Sequence, residues 1–225
     1  MRWADADSLF VGSPALRGVS LRTGVDTTEV FAVQNGTRRL VSTSVQTITV
    51  TDGAYLVAQE NRSSRASAVD SIWVEIGTFA TRRHVEVTPA GWRRVSFDAL
   101  DVHGTVKDSS GEHTFDVHRT RALIDNSIVA ALADVLPLAS GYTATIPSYD
   151  VGAGAAGEDR FMTLRVMDAE PVEREAARPV AWKVEMNFTA STQQWSVLRW
   201  VDRATRRELQ WMLKTGGREL VGVAK

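Results

Sequence analysis

Apolar and polar residues alternate with a period of two along most of this chain, and turn residues interrupt the alternation at short intervals. This pattern indicates antiparallel strands joined by tight turns rather than parallel strands joined by crossover helices. The clearest turn is Asn35-Gly36, a favoured two-residue hairpin sequence. With these two residues as the loop, Phe31 is predicted to lie opposite Leu40.

A second hairpin turn is indicated at Asp52-Gly53, which predicts that Val50 lies opposite Tyr55. The first three strands therefore form a meander, and the polar residues 61–71 are interpreted as a surface loop after it. Further strands are predicted from the alternation at residues 72–76, 79–87, 92–97, 142–149, 161–167, 180–188, 194–201, 207–213 and 220–223.

The period changes to helical spacing only over residues 125–136. Ile128 and Leu132 share one side of this segment, Asp125 can cap its start, and Pro137 follows its end. The segment is amphipathic, so we expect this helix to cover a sheet.

Together these elements predict one mainly β domain over residues 1–225, in which residues 1–24 form an extended N-terminal segment. The predicted architecture is a large curved antiparallel sheet, or half-barrel, of about eleven strands with one covering α-helix. The sequence shows neither the strand–helix–strand alternation of βαβ units nor an internal repeat.

Composition excludes several functional classes. The 225 residues are 44% hydrophobic and 24% charged, and 26 Lys and Arg residues nearly balance 27 Asp and Glu residues. The sequence therefore lacks the excess of positive charge that is typical of nucleic-acid-binding proteins. No apolar run approaches the roughly 18 residues of a transmembrane helix. Because the chain has no cysteine, disulfides, thiolate zinc sites and cysteine nucleophiles are excluded. We expect no cofactor.

Residues 152–157 have the spacing G-x-G-x-x-G of dinucleotide-binding loops. The segment that follows is strand-like, whereas the dinucleotide motif needs a helix there. We therefore interpret these residues as a hairpin loop.

One hairpin carries the residues best suited to metal chemistry. With residues 108–111 as its loop, His103 lies opposite Asp116, and Asp101 lies opposite His118. Two imidazoles and two carboxylates on one patch could bind a divalent metal, or a carboxylate could orient an imidazole as a general base. The pattern is equally typical of a solvated strand face with cross-strand ion pairs, and alternation places the patch away from the core.

Tryptophan is concentrated at the C-terminal end of the chain. For a turn at residues 203–206, Leu198 is predicted opposite Trp211, and Trp200 opposite Leu209. Trp182 and Met186 alternate with polar residues on the neighbouring strand. A single apolar face is thus predicted, comprising Trp182, Met186, Leu198, Trp200, Leu209 and Trp211.

A helix of about twelve residues is roughly 18 Å long. It cannot cover a sheet of about eleven strands spaced roughly 4.8 Å apart. Part of the apolar face is therefore expected to line a cavity or groove for an apolar ligand or a partner, although each of its residues is also suited to an ordinary core.

Three segments carry a family resemblance: LPL at residues 136–138, IPSYD at residues 146–150 and WVDRATRREL at residues 200–209. Together with the sheet and its one helix, they resemble an uncharacterised group of extracytoplasmic bacterial proteins with a half-barrel like that of the lipoprotein carriers LolA and LolB. The resemblance covers roughly residues 25–223. It implies an apolar concavity that binds acyl chains or another amphiphile, and a periplasmic or extracellular location.

Three functions follow as hypotheses. The first is a non-enzymatic extracytoplasmic protein that binds a lipid-like or other apolar ligand in the concavity of the half-barrel. The second is an accessory or structural subunit that docks this face, or a sheet edge, onto a protein or membrane complex. The third is a metal-dependent enzyme at the patch formed by Asp101, His103, Asp116 and His118.

Overall fold

The computed structural model describes residues 7–64, 66–152, 156–174, 177–190, 194–215 and 218–225. Within them are one α-helix, α1 (Val129–Val135), and the 3-10 helices Pro14–Leu16 and Asn126–Ile128. The strands in this part of the chain are β1 (Asp7–Ser8), β2 (Gly24–Gln34), β3 (Thr37–Thr51), β4 (Ala54–Ser63), β5 (Ser67–Glu75), β6 (Thr81–Thr88), β7 (Gly91–Asp98), β8 (Asp101–Asp108), β9 (Gly111–His118), β10 (Ile124–Asp125), β11 (Thr143–Asp150), β12 (Glu158–Pro171), β13 (Val180–Thr189), β14 (Gln194–Asp202), β15 (Glu208–Thr215) and β16 (Arg218–Ala224).

All of these strands belong to one sheet. Its order is β1-β11-β12-β13-β14-β15-β16-β2-β3-β4-β5-β6-β7-β8-β9, and β10 also pairs with β11. Neighbours are antiparallel, except that β1 and β10 run parallel to β11. The prediction of a mainly β protein with a large, open, curved antiparallel sheet and a single helix is confirmed.

The predicted number of strands, about eleven, is wrong, because the described residues form sixteen. β1 and β10 are two residues long, which is too short for alternation to show. The loop predicted over residues 61–71 is wrong for residues 61–63 and 67–71, which lie on β4 and β5. There the ladder pairs Asn61 with Ala68 and Arg62 with Ser67.

The hairpin registers near the predicted tight turns are confirmed. Phe31 lies opposite Leu40, and Val50 lies opposite Tyr55. Asn35 has a backbone φ of 51° and Gly36 a φ of 77°, which are the left-handed values that a type I′ turn requires. Turn chemistry that is local in sequence therefore fixes the pairing next to each turn, whereas the β2–β3 register shifts by one residue between Phe31 and Val30.

The segment predicted as a helix near residues 125–136 begins with a 3-10 turn and continues as α1. The Asp125 carboxylate accepts a hydrogen bond from the Ser127 backbone N–H at 2.9 Å, so Asp125 caps the first turn as predicted. Leu136, next to Pro137, has extended backbone angles and ends the helix.

The helix packs against one face of the sheet, which we call the covered face; the opposite one is the outer face. Val129 and Leu132 of α1 are fully buried in a core with residues of distant strands. The covered face includes Ile48, Val57, Met186 and Val201. Burial of each such side chain contributes about 1.5–3 kcal/mol, so this packing holds α1 to the sheet.

The N-terminal segment predicted as extended over residues 1–24 contains β1 and the 3-10 helix Pro14–Leu16 in its described part. Leu9, Leu16 and Leu21 are buried in the core beneath α1, so this segment helps to close the covered face. Residues 1–6 lie outside the described residues, as do residues 153–155 of the predicted glycine loop. In the described part of the chain, no helix has the length and apolar character that crossing a membrane requires.

Candidate apolar binding site

A cavity of about 340 Å³ lies on the covered face, between α1 and the strands β2–β4 and β13–β16. Ala130 and Ala131 of α1 line it, and their small side chains leave open the space that a larger residue would fill. The apolar sheet residues around it include Val30, Ile48, Met186, Phe188, Val197, Trp211 and Leu213. Small-molecule pockets have volumes of about 300–1,000 Å³, so this cavity suits one slender ligand.

The flank formed by β3 and β4 is polar. Ser44, Gln46, Gln59 and Asn61 line it, and the Gln59 side-chain amide donates to the Ser44 hydroxyl at 3.1 Å. The cavity thus combines apolar side chains of α1 and the sheet with polar side chains, of which these four form the flank near β4. This arrangement suits an amphiphile better than a purely apolar molecule.

The six residues predicted to share one apolar face lie on two faces. Met186 and Trp211 line the cavity, and Trp182 packs into the same core on the covered face. The other three belong to a separate cluster on the outer face, which includes Leu198, Trp200 and Leu209. The prediction of one shared face is therefore wrong.

A β-bulge causes this difference. Val201 pairs with Glu208, as the turn at residues 203–206 predicts, but Trp200 pairs with Gln210. Leu209 is the extra residue, so every pair beyond it shifts by one and Arg199, not Leu198, lies opposite Trp211. Trp200 and Leu209 still pack together, but on the outer face.

The same shift brings an ion cluster into the cavity wall. Arg199 is 6% exposed and ion-pairs with Glu208 at 2.5 Å and with Asp134 of α1 at 2.8 Å. Its guanidinium also donates to the Ala130 carbonyl at 2.6 Å. Sequence analysis missed this cluster, because unbroken alternation would place Arg199 on the face opposite Trp211.

Electrostatics couple the three charged groups. Burial raises the pKa of Asp134 to about 7, against the opposing effect of Arg199 and with a contribution from Glu208. Burial alone would lower the pKa of Arg199, but Asp134 and Glu208 raise it above its ordinary value. Arg199 therefore stays charged and ties α1 to β14 and β15.

A second arginine reaches the cavity from the turn after β14. The Asp202 carboxylate accepts hydrogen bonds from the backbone N–H groups of Ala204 at 2.9 Å and Thr205 at 2.6 Å. Arg206 follows with a φ of 60°, and its side chain donates to the carbonyls of Asp134, at 3.1 Å, and Leu136. It thus binds the last carbonyls of α1 and lines the cavity.

The hairpin patch predicted for metal chemistry has the predicted register but forms two separate pairs. His103 lies 2.5 Å from Asp116, and His118 lies 2.6 Å from Asp101. All four side chains are at least half exposed. Among the described residues, no group of three or more His, Cys, Asp or Glu side chains is arranged to hold a metal ion. The hydrogen bond that the His103 ring donates to the Asp116 carboxylate raises the pKa of His103.

The most buried histidine is one that sequence analysis did not single out. His84 on β6 is 2% exposed, and its ring nitrogens lie 2.5 Å from Asp70 on β5 and 2.7 Å from Asp125. Burial alone would lower its pKa, but the two carboxylates raise it to about 10. Since Asp125 also caps the turn before α1, His84 fixes the start of the helix to the sheet.

The fold and the cavity define the class of this protein. Its members have an open antiparallel sheet that holds an apolar cavity beneath a short helix. Residues 30–218 match the family described as "Protein of unknown function (DUF3108)". The chain therefore belongs to the DUF3108 family. No curated protein has a sequence that matches it.

Two solved structures are similar to this chain. One is a beta-barrel-like protein of the domain of unknown function DUF1849 from Brucella abortus, with 8% identity, a TM-score of 0.61, and coverage of 92% of this chain and 98% of that chain. The other is the hypothetical lipoprotein YmcC from Escherichia coli, with 12% identity, a TM-score of 0.42, and coverage of 93% and 90%. The first similarity shows a shared fold.

Proposed function

We propose that this protein is a non-enzymatic, extracytoplasmic binding protein that holds a lipid-like or other apolar ligand in the cavity under α1. The observation that carries the proposal is the cavity of about 340 Å³, walled by Met186, Phe188 and Trp211 on the sheet and by Ala130 and Ala131 on the helix. Each ligand methylene group that is buried against these apolar side chains contributes about 0.8 kcal/mol to the binding free energy.

The size of the cavity limits the ligand. At about 30 Å³ per small group, the volume of one water molecule in the liquid, it holds roughly eleven non-hydrogen atoms. A single alkyl chain fits this volume, whereas a two-chain lipid would leave one chain outside. The resemblance to the LolA and LolB carriers supports an acyl-chain ligand and is the basis for the extracytoplasmic location. Immunoblots of fractionated cells test that location.

A matched pair of variants tests the site. Leu213 lines the cavity, and its chain neighbour Met212 packs with the outer cluster. We expect Leu213→Trp to fill the cavity and abolish dodecanol binding, measured by isothermal titration calorimetry, whereas Met212→Trp leaves it unchanged. Equal binding by both variants would show that the ligand does not occupy this cavity.

A docking subunit is the second candidate. β9 is an end strand of the sheet, and within the described residues its outward side pairs with no other strand. The strand carries polar and charged side chains, among them Glu112, Thr114 and Asp116. Such side chains limit pairing at a sheet edge, so the free edge of β9 is weaker support for docking than the cavity is for ligand binding. If docking were the function, Leu213→Trp would leave activity in the cell intact.

A further inference from the structure

The cavity has one arginine, Arg206, that forms no ion pair within the described part of the chain, although the Asp134 carboxylate is close enough to influence its charge. Arg22 pairs with Asp26, and Arg199 is shared by Asp134 and Glu208. Arg206, in contrast, donates its two hydrogen bonds to backbone carbonyls.

The turn holds Arg206 in a conformation that costs energy. A φ of 60° is uncommon for a residue with a side chain, and such strain persists where the surroundings over-determine it. Here the Arg206 backbone N–H donates to the Asp202 carbonyl at 3.0 Å, and the Asp202 carboxylate holds the preceding turn. The turn therefore directs the Arg206 side chain to the cavity, and the carbonyls of Asp134 and Leu136 orient its guanidinium there.

The side chain retains binding capacity in that orientation. A guanidinium has five N–H donors, and Arg206 uses two of them for the carbonyls of Asp134 and Leu136. Burial lowers the pKa of Arg206, against the opposing effect of Asp134, as expected of a cation that has lost more hydration than its nearest carboxylate replaces. An anion bound by the three remaining N–H donors would compensate the positive charge for the hydration that it loses on burial.

We infer that Arg206 binds the head group of the ligand and that the ligand is an anionic amphiphile, with a carboxylate or phosphate group at Arg206 and an alkyl chain in the apolar part of the cavity. This inference rests on the proposed function, because it specifies the ligand of the same cavity. A charged hydrogen-bond pair of this kind contributes more than a neutral one, so it sets selectivity among amphiphiles of equal chain length.

Three probes with the same chain and different head groups test this inference: dodecanoate, dodecanol and dodecyltrimethylammonium. We expect the wild-type protein to bind dodecanoate about tenfold more tightly than dodecanol, and the cationic probe more weakly than either. Acetate, which lacks the chain, is expected not to displace dodecanoate. Displacement by acetate at similar concentrations would instead indicate a site for free anions and overturn the inference.

Arg206→Gln and Arg207→Gln form the matched pair, because both remove one positive charge from the same turn and Arg207 is exposed. We expect Arg206→Gln to bring the ratio of dodecanoate to dodecanol affinity down to about one, and Arg207→Gln to leave that ratio as in the wild type. A Gln variant that loses affinity for all three probes equally would show that Arg206 only holds α1 in place, and would overturn the inference.

Dodecanol binding separates a failure of the proposed function from a failure of the Arg206 assignment. If dodecanol does not bind the wild-type protein at all, the proposed function itself is wrong. If dodecanol binds but dodecanoate binds no more tightly, the apolar site stands and the assignment of Arg206 is wrong.

Discussion

The indole of Trp211 occupies the space in which a side chain at position 222 would begin. Trp211 and Gly222 lie directly opposite each other on β15 and β16. A Cβ added at Gly222 would lie 2.1 Å from the indole Nε1 and 2.2 Å from Cε2. Glycine at this position therefore sets where Trp211 stands in the cavity wall.

From this relationship we expect Gly222→Ala to push the indole aside, weaken dodecanol binding and cost about 1–3 kcal/mol of unfolding free energy through overpacking. Urea denaturation and calorimetric titration measure the two effects. Gly104→Ala is the control, since its Cβ would lie 2.1 Å from the Phe115 ring on β9, away from the cavity. It should lower stability without changing binding; equal loss of binding in both variants would contradict this explanation.

The ion cluster on α1 gives a second prediction. Replacing Arg199 by Gln would leave the Asp134 and Glu208 carboxylates close together without their shared cation. Because removal of one partner from a buried ion pair typically costs about 3–5 kcal/mol, we expect a loss of that size in urea denaturation. Arg165→Gln removes an exposed arginine from β12 and should stay within about 0.5 kcal/mol of the wild type. Similar losses in both variants would show that the cluster does not hold α1.

His84 gives a prediction about pH. Its pKa is raised to about 10 in the folded protein from an ordinary value of 6.5. The folded state thus binds a proton that the unfolded state releases, so this stabilisation is complete below about pH 6.5 and is lost as the pH rises through about 10. We expect the unfolding free energy to fall between pH 7.5 and pH 9.5 by about 1.4 kcal/mol per pH unit at most.

The control for this prediction is His84→Gln, measured by urea denaturation over the same pH range. The variant should be less stable than the wild type at pH 7, and its stability should depend less on pH. If wild type and variant have parallel pH profiles, His84 is not the charged link between Asp70 and Asp125.

The two tryptophans assigned to opposite faces give a fourth prediction. Trp211 lines the cavity, whereas the Trp200 indole donates to Glu170 at 2.6 Å within the outer cluster. We expect dodecanol to change the tryptophan emission of the wild-type protein and of Trp200→Phe to a similar extent. Trp211→Phe should respond much less. A response that depends on Trp200 instead would place the ligand on the outer face.

The fold could be predicted from sequence wherever the deciding interaction is local. Asn35-Gly36 fixes a hairpin because two adjacent residues adopt left-handed backbone angles, and Asp125 caps a turn two residues away. The pairs of the hairpin after Asp101 were predicted for the same reason. Each of these signals lies within a few residues of the structure that it determines.

The site could be predicted only in part, because it depends on a bulge and on distant contacts. The extra residue Leu209 reverses which side chains face the cavity, and no turn motif marks it. Arg199 meets Asp134 across 65 residues of chain, and His84 meets Asp125 across 41. Alternation places residues on faces, but it does not reveal which elements those faces meet.

The most direct test of the central claim is native mass spectrometry of the protein purified from its own cells, with Leu213→Trp purified in parallel. We expect a wild-type species that carries an added mass of the size of one single-chain amphiphile, and a variant that is folded but lacks this mass. A bare wild-type monomer, or the same added mass on both proteins, would contradict the claim that the cavity under α1 binds the ligand.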